Sequence, residues 1–162
     1  MDYLWTPWRY QYMAQATSGK NQPECIFCDA ITRGDDEQTL IVYRGKDAFI
    51  ILNRFPYTSG HVMIVPYDHV AELRLCKPRA LDEMMGLAQR MEDAFRANYN
   101  PDGMNLGMNL GRAAGAGVTG HLHLHMLPRW FGDSNFMTVA GETRVHPEEL
   151  TTTYTRLKKA LS

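Results

Sequence analysis

The stretch GHLHLHMLPRW, residues 120–130, constrains this chain more than any other. His121, His123 and His125 occupy alternate positions, with Leu122 and Leu124 between them. Strict polar–apolar alternation is the period of a β-strand whose two faces differ. A strand here puts the three imidazoles on one face and turns Leu122, Leu124 and Met126 toward a core. On a strand, residues two apart lie ~6.5 Å from each other and residues four apart ~13 Å. A zinc ion with ligand bonds of ~2 Å is within reach of two neighbours in such a row, but hardly of all three. The row is therefore more than a single metal site. It is a line of proton-bearing groups along a groove.

Imidazole suits attack on phosphorus. With an unperturbed pKa of ~6.5, one ring nitrogen is usually free at neutral pH. That nitrogen can form a covalent phosphoramidate, which divides one difficult substitution into two easier ones. Neighbouring imidazoles can bind phosphate oxygens or protonate the leaving group. A lone histidine in a strand is ordinarily packed or solvated, whereas three in alternation, followed by PRW, call for a chemical reading.

The rest of the chain supplies the frame. TLIVYR (39–44) and AFIILN (48–53) are apolar and β-branched, and the short GKD between them predicts a strand pair with a tight turn. HVMIVP (61–66) predicts a third strand after the break at RFPYTSG. From Pro78 to Tyr99, Leu81, Met85, Ala88, Met91 and Phe95 recur at helical spacing, which predicts a long amphipathic helix packed on the sheet. GMNLGMNLG (103–111) reads as a glycine-rich strand, and Pro147 opens a last helix with Leu150, Tyr154, Leu157 and Leu161 on one face. The order β-β-β-α-β-β-α, with hairpin-like early links, predicts an α+β fold with a mainly antiparallel sheet. At 162 residues the chain fits a single domain, 1–162, with an N-terminal arm over 1–24 and a C-terminal extension over 131–162.

Charge and composition narrow the partners. A net charge of −1 offers no footprint for nucleic acid, though a local anion pocket remains open. No apolar run is long enough to span a membrane. MDYLWTPWRYQYM lacks the basic and apolar regions of a signal peptide, so a cytoplasmic, reducing setting is expected. The odd count of three cysteines agrees with that setting. Of these, Cys25 and Cys28 form ECIFC, a spacing that serves zinc chelation, a redox pair or plain packing. A lone CxxC is incomplete for tetrahedral zinc, which needs two further ligands. Cys76 has no partner pattern and reads as packing.

GRAAGAG (111–117) precedes the histidine row. Small residues let backbone N–H groups converge on an anion. The loop lacks the P-loop lysine, so it is either such a nest or an ordinary turn between strands. Gly117 and Thr119 are the candidates for phosphate contact. Asn109, at the strand end, either reaches phosphate or caps a turn. Arg112 and Arg129 flank the site and either hold a polyphosphate tail or are solvated.

HLHLHML resembles the His-φ-His-φ-His-φ-φ signature of the histidine triad (HIT) family. ILNRFPYTSGHVMIVPYDH is similar to that family's upstream segment, and GMNLGRAAGAGVTGH to its loop before the triad. The resemblance spans about residues 25–130. LWTPWR and PRWFGDSNFM, outside it, resemble a bacterial subgroup related to diadenosine tetraphosphate phosphorylases. The resemblance implies that His123 is the nucleophile and carries a nucleotidyl group. It gives His125 to the α-phosphate and leaving group, and places His61 in the same pocket. It puts Asn53 at the ribose and Asn109 at phosphate or the bridging oxygen. In relatives that carry the CxxC, the remaining ligands are the histidine of Pro-x-x-His and the first triad histidine. Those are His69 and His121 here, which implies a structural Cys2His2 zinc and no catalytic metal. The family is typically dimeric, with the sheet continuing across the pair.

The implied activity is nucleotidyl transfer from a dinucleoside polyphosphate of the diadenosine tetraphosphate type, with inorganic phosphate the favoured acceptor. Water as acceptor would make it a hydrolase of such substrates or of nucleoside phosphoramidates. A nucleotide-binding regulatory module with little turnover and a hydrolase using the histidine row on zinc are the rival classes.

Overall fold

The computed structural model describes residues 24–133 and 148–162. The expected arm, save residue 24, and the expected helix start at Pro147 lie outside the described residues. Two helical segments lead the described residues, α1 (Ile26–Arg33) and the single turn α2 (Asp36–Thr39). Strands β1 (Ile41–Arg44), β2 (Ala48–Leu52) and β3 (Val62–Pro66) follow. The long helix α3 (Pro78–Tyr99) comes next, then β4 (Gly103–Met108), β5 (Leu124–Arg129) and α4 (Leu150–Leu161). The five strands form one antiparallel sheet in the order β1-β2-β3-β5-β4. The α+β expectation stands.

α1 was not among the expected elements. ECIFCDAITRG reads as polar loop and motif, yet Phe27 and Ala30 fall on one helical face and are buried. Asp29 in the first turn and Arg33 in the last suit the helix dipole. Gly34 ends the helix with φ 70°, a left-handed cap that glycine adopts without Cβ strain. Residues 39 and 40, expected in β1, instead close α2. Asp35 caps that turn through Gln38 N–H, and Leu40 takes φ 66°.

The sheet has two covered faces. Val42, Ile50, Leu52, Ile64, Leu124 and Met126 meet α3 and α4 in the main core. Ile41, Phe49, Ile51, Met63 and Val65 meet Cys25, Phe27 and Ala30 of the α1 region on the other side. Alternation sends Ile41 and Val42 to different cores, and a register shift between Ile41 and Tyr43 lets Val42 and Tyr43 both reach the main one. The buried face of α3 runs through Met84, Leu87, Ala88, Met91 and Phe95. Met85, expected on that face, is 51% exposed. A stripe at i, i+3, i+4 and i+7 counted from Met84 covers the sheet, and Met85 falls a hundred degrees off it.

The β1–β2 turn is held from α3. The Glu83 carboxylate accepts N–H bonds from Lys46 (2.9 Å), Asp47 and Ala48 (2.8 Å). Burial raises the Glu83 pKa, but these three bonds outweigh it and hold the carboxyl below its ordinary range. Gly45 is required at the turn, because a Cβ there would sit 2.6 Å from Ala48 O and 2.7 Å from the Glu83 carboxylate.

Candidate active site and metal centre

The histidine row straddles the start of β5. Only His125 lies within the paired strand, between Met63 of β3 and Gly107 of β4. His121 and His123 precede the strand and are buried, at 1% and 5% exposure. Leu124 and Met126 enter the main core, as the alternation predicts. Leu122 packs instead against Cys76 and Ala80, which gives the third cysteine its packing role.

His121 turns to the cysteines. Its Nδ1 lies 3.3 Å from Cys25 Sγ and 3.7 Å from Cys28 Sγ, while His69 Nδ1 lies 3.3 Å from Cys28 Sγ. One donor atom from each of the four residues falls within 4.8 Å of the others. Tetrahedral zinc with bonds of ~2.0 to 2.3 Å places its ligands roughly 3.3 to 3.8 Å apart, so this donor set fits such an ion. His121 Nε2 donates to Pro66 O at 2.9 Å, which leaves Nδ1 as the lone-pair nitrogen facing the thiols. Without a cation, burial and then the neighbouring Cys25 raise the Cys28 thiol. A divalent ion reverses that preference by binding thiolate.

His123, His125 and His61 make a second group. His123 Nδ1 donates to His121 O at 2.8 Å, so Nε2 carries the free lone pair. Burial lowers the His123 pKa, which keeps the ring neutral near pH 7. The His123 and His125 rings stand nearly perpendicular, with centroids 4.8 Å apart. His61, 1% exposed, lies 2.9 Å from His125 through His61 Nε2 and His125 Nδ1.

The proton positions in this pair follow from one backbone amide. Tyr57 N–H points at His61 Nδ1 from 3.1 Å, and an amide only donates. Asn53 Nδ2 approaches the same nitrogen at 3.3 Å. His61 Nδ1 is therefore an acceptor. Burial, then the charges that His125 and His123 would carry, push the His61 pKa down to about 3. The neutral ring holds its proton on Nε2 and donates it to His125 Nδ1. Burial and then His123 likewise push His125 down to about 4, so its own proton sits on Nε2.

The remaining candidates are spread around this group. Asn53 is oriented by Phe55 N–H, which donates to its Oδ1 at 2.9 Å. Asn109 is half-buried, and its Nδ2 is 3.9 Å from where a Gly115 Cβ would stand. Gly117 and Thr119 are exposed in the loop, whose Ala116 is buried and whose Val118 packs toward α1. Arg112 is exposed, and Arg129 pairs with Asp133 and Asn105. Three contributors were not singled out from sequence. Tyr57 stacks on His61 at 4.7 Å, Phe27 meets two triad rings, and the Pro66 carbonyl orients His121. Phe27 and Pro66 sit inside motifs that drew attention to other members, and the backbone role of Tyr57 leaves no mark in residue type.

Fold and site together define an α+β protein whose sheet carries neutral, individually oriented imidazoles beside four side chains that could hold a metal ion. The chain belongs to the histidine triad family: the HIT domain profile matches residues 35–132. It is 40% identical over 152 residues, 91% of this chain and 77% of the relative, to the AP-4-A phosphorylase of Mycobacterium tuberculosis. An adenylylsulfatase of Arabidopsis thaliana is 32% identical over 108 residues, 67% of this chain and 53% of its own length. A zinc-bound histidine triad family protein from Mycobacterium smegmatis superposes with a TM-score of 0.69 at 29% identity, covering 85% of this chain and 92% of that one. Among the described residues no helix is long and apolar enough to cross a membrane.

Proposed function

We propose that this protein is a dinucleoside polyphosphate phosphorylase working through a nucleotidyl-His123 intermediate. The observation that carries the reading is the proton arrangement: His123 offers a lone pair on Nε2, and its neighbour His125 offers a proton on Nε2. The 40% identity to an AP-4-A phosphorylase supports the substrate class and the acceptor.

In the first step, His123 Nε2 attacks the α-phosphorus of diadenosine tetraphosphate. The N–P bond forms as the bond to the bridging oxygen breaks, and ATP leaves with its new terminal oxygen protonated by His125. In the second step, an oxygen of inorganic phosphate attacks the same phosphorus. His123 departs with its electron pair, ADP forms, and His125 recovers a proton from the incoming phosphate. Asn53 serves the ribose, and Asn109, Gly117 and Thr119 serve the phosphates, with backbone N–H groups stabilising developing charge. His61 sets the orientation and tautomer of His125.

Cys25, Cys28, His69 and His121 would hold a structural zinc, which when bound ties α1 and the segment after β3 to the triad. The zinc-bound Mycobacterium smegmatis protein supports this reading. No step of the reaction requires that ion. The protein would work in the cytoplasm as a homodimer.

Product analysis with diadenosine tetraphosphate tests the proposal. ADP plus ATP formed only with phosphate is the expected result. AMP plus ATP with or without phosphate assigns water as the acceptor and a hydrolase. Nucleotide binding without turnover under both conditions identifies a binding module, and His123→Ala must abolish turnover while leaving binding.

A further inference from the structure

We propose that Phe27 is a positioning residue for His123: packed against the imidazole, it holds Nε2 on line for phosphorus. The inference rests on His123 being the nucleophile. Of the two residues between Cys25 and Cys28, which the zinc reading leaves without a task, Ile26 is exposed and Phe27 is buried. It lies in the first turn of α1 and is 1% exposed. Its ring centroid is 5.3 Å from that of His121 at 73°, and 5.2 Å from that of His123 at 48°.

The geometry shows why His123 needs this wall. One hydrogen bond, Nδ1 to His121 O, tethers the ring at a single atom. Pivoting about that atom sweeps Nε2, on the far side of the ring, away from any fixed target. Two aromatic rings restrict the pivot: His125, perpendicular at 4.8 Å, and Phe27, tilted at 5.2 Å. His125 is two residues along the same segment and moves with the reacting groups. Phe27 comes from a different element and is itself buried in one apolar cluster with Ala30, Ile41, Phe49, Ile51, Met63 and Val65. The residues on either side of Ile26 and Phe27 are the two cysteines of the four-ligand centre. The clamp on α1 and the wall behind the nucleophile are thus one short segment, which gives the CxxC a second purpose beyond ligation.

Phe27→Leu removes the planar wall and keeps an apolar side chain. Phe49→Leu is the control. Phe49 sits in the same cluster and is fully buried, but its aromatic contact is with Tyr67. Both variants are to be compared with wild type for zinc content, melting temperature, kcat and KM on diadenosine tetraphosphate with phosphate, and the rapid-quench rate of nucleotidyl-enzyme formation. NMR of the His123 ring supplies a readout independent of turnover.

A displacement of about 1 Å at a reacting atom can cost up to ~100-fold, so Phe27→Leu is expected to lower kcat and the nucleotidylation rate about tenfold. KM should stay within about twofold, because the wall acts on attack rather than on binding. Zinc content should equal wild type, and the His123 ring signals should broaden or split in Phe27→Leu alone. Phe49→Leu should lose melting temperature and keep kcat. Wild-type kcat in Phe27→Leu overturns the inference, as does an equal fall in both variants or loss of zinc from Phe27→Leu. If Phe27→Leu fails to fold, Phe27→Met carries the same comparison. Turnover surviving in His123→Ala would instead defeat the underlying reading, so the two failures are distinguishable.

Discussion

Replacing His61 by phenylalanine removes the proton donor to His125 and, with it, the acceptor of the Tyr57 amide. Phenylalanine keeps a planar, buried ring but cannot donate to His125 Nδ1, which His61 Nε2 approaches at 2.9 Å. A buried acceptor left without a donor costs about 1–3 kcal/mol. Nothing then favours the tautomer that keeps the His125 proton on Nε2, toward the leaving group, over the one that carries it on Nδ1. At 1.4 kcal/mol per factor of ten, the reactive tautomer is depleted about 5- to 150-fold, and kcat on diadenosine tetraphosphate should fall by that factor. Removing His125 itself should do more, within the ~100- to 10,000-fold typical of general acid catalysis. The assay compares diadenosine tetraphosphate with the mixed anhydride of AMP and sulfate. Sulfate is the anion of a strong acid and departs without a proton. On that substrate the His61→Phe penalty should nearly vanish. An equal loss on both substrates, with zinc content and melting temperature unchanged, would refute the tautomer chain, as would an unchanged kcat on the polyphosphate.

Acidification should destabilise the fold through the same pair. His61 and His125 are pushed to about 3 and about 4 from the ordinary 6.5, so between about 6.5 and 4 the unfolded chain binds more protons than the native one. Stability is full above about pH 6.5 and drains as pH falls toward 4. Urea midpoints should show it, with a shallower loss in His61→Phe; equal slopes would remove His61 from the account. Cys28→Ala should release zinc and lower the melting temperature, since metal binding to a folded site is folding free energy; a metal assay and a thermal scan check both. Glu83→Gln, which breaks a carboxylate serving three amide donors, should cost about 1–3 kcal/mol by urea denaturation while kcat holds. Gly45→Ala should cost a similar amount or more, because its Cβ has no room.

Elements announced by periodicity were legible: the early strand pair, β3, α3 and the alternation of Leu124 and Met126 toward the core. α1 was missed because two cysteines drew the reading to ligation. Their i, i+3 spacing, Phe27 and Ala30 one helical turn apart and Gly34 at the end also spell a short capped helix. Thr39 and Leu40 were assigned to β1 on β-branching and apolarity, and the Asp35 side-chain cap overrode that local preference. The single-face reading of α3 went astray at Met85 because a count by fours and threes admits two neighbouring stripes, and only tertiary packing selects one. Which residues gather at the centre was approachable from motif; how each ring is turned was not, because it depends on backbone groups that have no letter.

That dependence explains how three identical residues in one short run come to differ. His121 gives its Nε2 proton to the Pro66 carbonyl, so its Nδ1 is left for the thiols. His123 gives its Nδ1 proton to the His121 carbonyl, so its Nε2 keeps a lone pair. His125 receives a proton at Nδ1 from His61, itself fixed by the Tyr57 amide, so its Nε2 is left as a donor. Each role is set by the partner of the other ring nitrogen, and two of the three partners are carbonyls within or beside the triad segment's own β-structure. Burial completes the division by keeping the rings neutral, since a protonated imidazole has no lone pair to offer metal or phosphorus. The alternation therefore does more than align three side chains. By threading the first two histidines past carbonyls and the third past His61, it turns one residue type into three rings whose free nitrogens differ in position or protonation.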